Sequence, residues 1–327
     1  MSPLSRSRLR QRGAALLMAM LTVALVATFA TAALWQQWRS IEVEGAERAR
    51  VQSEWILTGA LDWARLLLRE DGRSGGPDHL GEPWAVPLQE ARLSSFLAAQ
   101  NNASTDTGPD VLDAFLSGQV TDLQSFLNVT NLVDAGAGKL SEPDLESFAR
   151  LFELLQLPSG QLEAMAENLR LALAPGGGER PLVPQQADQL VWLGLAPQTV
   201  AALRPYVTIL PTRTPVNLNT ASAEVIYASM PGIGMAEAQR LVSARQGAPF
   251  RSVADAIRIL GGEAAAIPPG QANVGVASRF FEVQARLRLD QLVVEERSVV
   301  QRDGVNVRVL LRERGPAGPP PQALANR

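Results

Sequence analysis

The feature that most constrains this chain is an uncharged run of 21 residues, Ala14 to Leu34 (AALLMAMLTVALVATFATAAL), set directly behind four arginines. At about 1.5 Å of rise per residue a helix of that length spans the hydrocarbon core of a bilayer, roughly 30 Å thick. Arg6, Arg8, Arg10 and Arg12 would hold the N-terminus on the cytoplasmic side, so everything after Leu34 is expected across the membrane. Trp35 to Arg69 contains no proline and places Trp55, Leu61 or Trp63, and Leu66 to Leu68 at spacings a helix can use. One helix is therefore expected from Ala14 to about Glu70.

Two processing schemes fit such a start. A secretory signal also has a basic beginning and an apolar middle, and Ala30-Thr31-Ala32 offers it a small-residue cleavage site. Against that, a glycine separates the basic leader directly from the apolar run in Arg10-Gln11-Arg12-Gly13-Ala14-Ala15-Leu16-Leu17, and the helical pattern continues far past Ala32. This junction resembles the prepilin peptidase site of type IV pilins and pseudopilins, which is cut after the glycine and leaves the apolar helix on the mature chain. The resemblance makes Gly13 and Ala14 the processing residues. Most pilin-like subunits carry glutamate as the fifth mature residue, paired with the terminal amine of the subunit above. Here that residue is Met18. A carboxylate buried in lipid is costly unless partnered, so a subunit with nothing above it gains by lacking one, and Met18 marks a tip position.

Composition excludes several function classes. The chain has no cysteine, which removes disulfides and thiolate metal sites, and its one histidine removes any site needing two imidazoles. A Ser-His-Asp hydrolase would have to use His79, which sits in the turn-rich Gly75-Gly76-Pro77-Asp78-His79-Leu80-Gly81 and is expected to be an exposed loop residue. No constellation argues for an enzyme. The net charge of −3 becomes −7 once the four leader arginines are gone, a poor balance for a nucleic-acid coat.

The pattern after the membrane stretch is that of an α+β fold. The expected divisions are a leader (1–13), the transmembrane part of the helix (14–34), a periplasmic stalk helix (35–70), a first portion with loop and strands (71–139), an inserted α-helical domain (140–272), C-terminal antiparallel strands (273–314) and a disordered tail (315–327). Val111 to Leu132 is rich in apolar and β-branched residues, and Val120 to Leu132 alternates well enough for a bent strand or hairpin. Ser141-Glu142-Pro143-Asp144 is a helix start, with Phe148, Leu151, Phe152, Leu154 and Leu155 as its apolar face. Further helices are expected at Gln161–Leu173, stopped by Pro175-Gly176-Gly177-Gly178, and at Gln185–Leu193 and Pro197–Tyr206. Arg279–Leu289, Gln291–Gln301 and Val305–Glu313 read as three strands, with turns at Asp290-Gln291 and Arg302-Asp303-Gly304.

The sharpest local motif is Val216-Asn217-Leu218-Asn219-Thr220-Ala221 followed by Met230-Pro231-Gly232-Ile233-Gly234 and an apolar helix with Ala238, Leu241 and Val242. It resembles a helix-hairpin-helix unit, with Asn219 or Thr220 as cap and Pro231, Gly232, Ile233 and Gly234 as the turn. In DNA-binding proteins such a turn offers amides to a phosphate, so a membrane-anchored periplasmic DNA-binding or uptake protein is the alternative function. Glu224 and Glu237 flank the turn, however, and Arg240 and Arg245 are its nearest cations.

Over nearly its whole length the sequence resembles the K-type minor pseudopilins, the general secretion pathway protein K family. The resemblance rests on the junction, Met18, Asp78-His79-Leu80-Gly81-Glu82-Pro83-Trp84-Ala85, the partial match at Asp122 to Asn128, the helical insertion and the Asn-Leu-Asn-Thr-Ala run. It implies an inner-membrane, single-pass subunit with its bulk in the periplasm. Such a subunit starts the type II secretion pseudopilus with the I, J and H types, after processing by prepilin peptidase, between the inner-membrane secretion platform and the outer-membrane secretin. It implies no cofactor and no nucleic acid. Some members bind calcium, but the acidic stretch associated with it is reduced here, at Ala174 to Pro181, to one carboxylate. Asp290, Glu295 and Glu296 read as solvated strand positions.

Overall fold

The computed structural model describes residues 11–94, 114–134, 136–174, 180–261, 272–289 and 292–316. They fall into two units, the first ending at Ile56 and the second beginning at Leu57. Helix α1 (Gln11–Ser74) forms the first unit and opens the second. In the first unit the large apolar side chains between Leu16 and Leu34 are exposed, as a lipid-facing helix requires. The hydroxyls of Thr22, Thr28 and Thr31 donate to the carbonyls of Ala19, Leu25 and Ala27, so none needs a water partner in hydrocarbon.

The second unit is built on a five-stranded sheet. Its strands are β1 (Leu88–Arg92), β2 (Ala114–Asp122), β3 (Phe280–Leu289), β4 (Leu292–Asp303) and β5 (Asn306–Pro316). They lie in the order of the chain, each antiparallel to the next. Leu57, Leu61, Ala64 and Leu68 of α1 recur every three or four residues and are buried. The last three pack with Trp84, Phe281, Val283, Val300 and Val307 in one cluster. Successive strand residues face opposite ways, so Phe281 meets Trp84 edge-on at 5.1 Å while Phe280 packs with Leu123 and Leu210.

Between β2 and β3 the chain makes a helical insert. It contains α2 (Glu142–Leu154), α3 (Ser159–Leu173), α4 (Pro197–Leu203), α5 (Ala223–Ser229), α6 (Met235–Gly247) and α7 (Val253–Leu260). Phe148, Leu151 and Phe152, at i, i+3 and i+4 on α2, join Met165, Leu190, Ile226 and Leu241 in its core. At about 1.5–3 kcal/mol per buried large apolar side chain, this cluster is the main source of cohesion in the insert.

Several expectations need correction. Trp55 and Leu66 are exposed, so the sheet-facing stripe of α1 is Leu57-Leu61-Ala64-Leu68. The helix runs to Ser74 rather than Glu70 because Asp71 and Gly72 are held against the β4–β5 hairpin, and Gly75 and Gly76, both at positive φ, then end it. The run from Val120 to Leu132 is a continuous strand only to Asp122, apart from the two-residue strand Leu127–Asn128. Beyond β2 the Asp122 and Asn128 side chains accept the amides of Gln124 and Thr130 and fold the chain into 3-10 turns instead. Ala187–Leu193 is 3-10 rather than α-helix, fixed at its start by the Gln186–Gln189 pairing, and the helix from Pro197 stops at Leu203. The last hairpin turns at Gly304-Val305, with Gly304 at φ 60° and Asp303 paired with Asn306. Gly315 and Pro316 belong to β5 rather than to a disordered tail. Glu296 is not solvated: it is 1% exposed and takes Arg312 and Arg314, each at 2.7 Å, because β5 brings both arginines beside it. His79 is half-buried, its Nδ1 accepting the Gly81 amide. The leader through Arg10, Val111, the glycine stop at 175–178, the Asp290-Gln291 turn and residues 317–327 lie outside the described residues.

Candidate functional site

Gly13 and Ala14 occupy the first turn of α1, and Met18 stands one turn beyond Ala14 on the same face, exposed. After Arg12 the next ionisable side chain is Arg39. The amine that cleavage at Gly13 would create therefore has no carboxylate within its own helix turn.

The turn between α5 and α6 is closed in on itself. Ser222 caps α5, its hydroxyl accepting the Val225 amide at 3.4 Å. Asn219 and Thr220 are drawn elsewhere: Asn219 exchanges hydrogen bonds of 2.8 and 3.0 Å with the Phe250 backbone, and Thr220 donates to Asp122 at 2.6 Å. Gly232 has φ 84° and Ile233 is buried in the insert core. The Gly234 amide donates to Glu237 at 3.1 Å, and Glu237 also takes Arg240 at 2.9 Å. Arg245 donates to the carbonyls of Leu218 and Ala221 at 2.7 and 2.6 Å, and burial pushes its pKa down to about 10. Arg150 of α2 lies 4.2 Å from the Tyr227 ring centroid and donates to the carbonyls of Tyr227 and Ile233. A phosphate seeking the Gly234 amide meets the carboxylate of Glu237 there, and the neighbouring arginines are already paired within the chain.

The densest polar arrangement lies where the chain leaves β2 for the insert and returns to β3. Asp122 ends β2, and Ser278 stands two residues before β3. Asp122 Oδ2 accepts Asn217 Nδ2 at 3.0 Å, the Thr220 hydroxyl at 2.6 Å and the Ser278 hydroxyl at 2.6 Å, while Oδ1 accepts the Gln124 amide at 2.8 Å. Asn217, fully buried, also donates to the Asp78 carbonyl at 3.1 Å. Asp78 accepts the Ser278 amide at 2.6 Å and Arg302 Nη2 at 2.5 Å, and Arg302 Nη1 donates to Asp71 of α1. Burial pushes Asp122 up to about 6 against the pull of its donors, and burial likewise raises Asp78 despite Arg302. This seam joins α1, the 78–84 loop, the sheet and the insert through paired polar groups, a low-dielectric arrangement that tolerates no missing member.

The carboxylates of Asp71, Asp78 and Glu82 have oxygens within 4.8 Å of one another, and the Arg302 guanidinium supplies positive charge to the first two. Residues 175–179, most of the stretch compared above with a calcium-associated segment, lie outside the described residues.

Sequence reasoning singled out Asp78 and Asn217 only as parts of quoted segments, Thr220 only as a candidate helix cap, and Ser278 and Arg302 not as site residues at all. Asn217 meets partners 95 and 139 positions away. No spacing rule reaches that far; the available signal was two asparagines alternating with Val216 and Leu218.

Two family models match the chain, over residues 125–212 and 216–277, and both describe type II secretion system (T2SS) protein K. The type II secretion system protein K of Pseudomonas aeruginosa is 28% identical over 95% of both chains. That of Klebsiella pneumoniae is 25% identical over 94% of this chain and 97% of its own. A chain in the crystal structure of the GspK-GspI-GspJ complex from enterotoxigenic Escherichia coli has the same fold, with a TM-score of 0.62 and 17% identity over 83% of this chain and 99% of that one.

Proposed function

From the premise that this chain belongs to the type II secretion system protein K family, as a minor pseudopilin of type II secretion, we propose that it caps the tip of the pseudopilus and initiates fibre assembly for export of folded proteins. The observation that carries this reading is the correspondence with a protein K over 95% of both chains, which includes the apolar helix as well as the insert.

The leader is cut between Gly13 and Ala14, and α1 stays in the inner membrane as a single span with the remainder in the periplasm. Four arginines ahead of the apolar run and an uncharged face at Ala14 and Met18 support this. Without a carboxylate at position 18 the subunit has nothing to offer the amine of a neighbour above it, yet its own amine can receive the glutamate of a subunit below. The solved complex named above contains GspI and GspJ, and this chain assembles with the corresponding subunits and an H-type subunit under the outer-membrane secretin. Its role is anchoring and recognition rather than catalysis. The internal pairing of Glu237, Arg245 and Arg150 supports structural work for the α5–α6 turn over DNA binding.

The mature N-terminus, read by mass spectrometry, tests the assignment. Ala14 at the start, and loss of cleavage when Gly13 is replaced by a bulky residue, are expected. A start at Ala33 would place the protein among secreted soluble proteins instead.

A further inference from the structure

Trp35, Trp38 and Arg39 stand at i, i+3 and i+4 on α1, on one face of the helix immediately after the apolar run. Trp35 is 66% exposed and Trp38 80%, and the Arg39 guanidinium lies over the Trp35 ring, its Cζ 5.7 Å from the centroid. Arg48 and Arg50, further along the same helix, are paired with Glu44 and Glu47. Among the described residues Arg39 has no ion pair, although Glu42 follows one turn on. Its guanidinium is thus oriented by an aromatic face while its charge stays uncompensated. Two bare indoles suit a bilayer surface, where each ring rests against acyl chains and its N–H reaches the headgroups.

The rise of the helix places these three side chains at that surface. Ala14 to Leu34 spans about 30 Å, the thickness of the hydrocarbon core. With Leu34 at its edge, Trp35, Trp38 and Arg39 lie about 1.5, 6 and 7.5 Å beyond it along the axis. A headgroup layer is about 5–7.5 Å deep on each side. The rings therefore sit within the boundary layer and the unpaired cation lies level with the phosphates, whose negative charge complements it.

We propose that Trp35, Trp38 and Arg39 form a phospholipid-binding collar at the periplasmic face of the inner membrane, in which Arg39 takes the phosphate of a headgroup and fixes the depth of α1. This deepens the single-span reading given above and rests on it. A planar guanidinium can stack on Trp35 and still direct parallel N–H donors at two phosphate oxygens, which an ammonium cannot do. The ligand is the phosphate that phospholipids share, not one particular headgroup. Arg39 and Ala14 are about 38 Å apart along the helix. Fixing the first therefore holds the mature amine at the cytoplasmic headgroup layer, at the level from which it would meet a subunit below.

Depth measurement tests the collar. The chain has no cysteine, so Gln36→Cys carries a single nitroxide whose depth is read from oxygen and nickel-chelate accessibility, with the full chain in phosphatidylethanolamine–phosphatidylglycerol vesicles. The label is expected at the headgroup boundary. Adding Arg39→Gln should let the helix sink toward Glu42, the next charge, three residues on, and deepen the label by about 4.5 Å. Arg39→Lys should give an intermediate shift. In vesicles of digalactosyldiacylglycerol, which has no phosphate, the label should sit equally deep with and without Arg39→Gln. A label that does not move with Arg39→Gln, an Arg39→Lys protein indistinguishable from wild type, or a difference that persists without phosphate would each overturn the proposal. A second label at Val26→Cys keeps the readings apart. If it is shielded from the nickel chelate while the collar results fail, the single span stands and only the collar falls; if it is in water, both fall.

Discussion

The Asn217 side-chain amide donates to Asp122 at 3.0 Å, tying the insert to the last residue of β2 across 95 positions of sequence. Both side chains are buried, so neither can recover a lost partner from water. Asn217→Ala should therefore destabilise the protein by about 2–4 kcal/mol, the usual range for orphaning more than one buried polar group. Urea denaturation of the full chain in micelles would measure it. A change below half a kcal/mol would mean that the seam is not a structural tie.

Gly72 faces the Gly304 carbonyl oxygen at a distance that leaves no room for a methyl group. Gly72→Ala should lower stability by about 1–3 kcal/mol, the cost of overpacking, even though alanine is the better helix former. Stabilisation by this substitution, read from the thermal midpoint, would show that the end of α1 is free of the hairpin.

Arg245 and Arg240 separate the structural reading of the α5–α6 turn from the nucleic-acid reading. Arg245 satisfies two carbonyls from a half-buried position, so Arg245→Ala should cost about 2–3 kcal/mol. Arg240 holds only an exposed pair with Glu237, and Arg240→Ala should leave the thermal midpoint unchanged. Neither protein, nor the wild type, should bind duplex DNA at physiological salt in a mobility-shift assay. A salt-sensitive complex weakened by both replacements would support a DNA receptor.

Met18 lies in the exposed apolar stretch of α1, and Met18→Glu alters one exposed position there. The variant should still anchor and fold, as measured by membrane fractionation and protease resistance. Deletion of the protein should stop secretion. Immunogold labelling of wild-type fibres should find one copy at the tip; label repeated along the fibre in numbers like those of the major subunit would contradict the tip assignment.

The sequence by itself determined the long apolar N-terminal helix, the C-terminal strands and the helical character of the insert. Each of these is a local property: an unbroken apolar run behind arginines, alternation at period two around Asp303-Gly304, or apolar faces at helical spacing as in Phe148, Leu151 and Phe152. What tertiary structure alone decided are the contacts between distant segments. It carried α1 past Glu70 to Ser74, and turned the alternating run after Asp122 into 3-10 turns. It buried Glu296 between two arginines and drew Asn219 and Thr220 away from the helix they could have capped. In each case a side chain with a local option took a partner remote in sequence, because once buried its polar atoms can be satisfied only by whatever the fold sets beside them. A pattern of residue types records propensity and periodicity; which polar groups will share a dry seam depends on the packing of the finished chain.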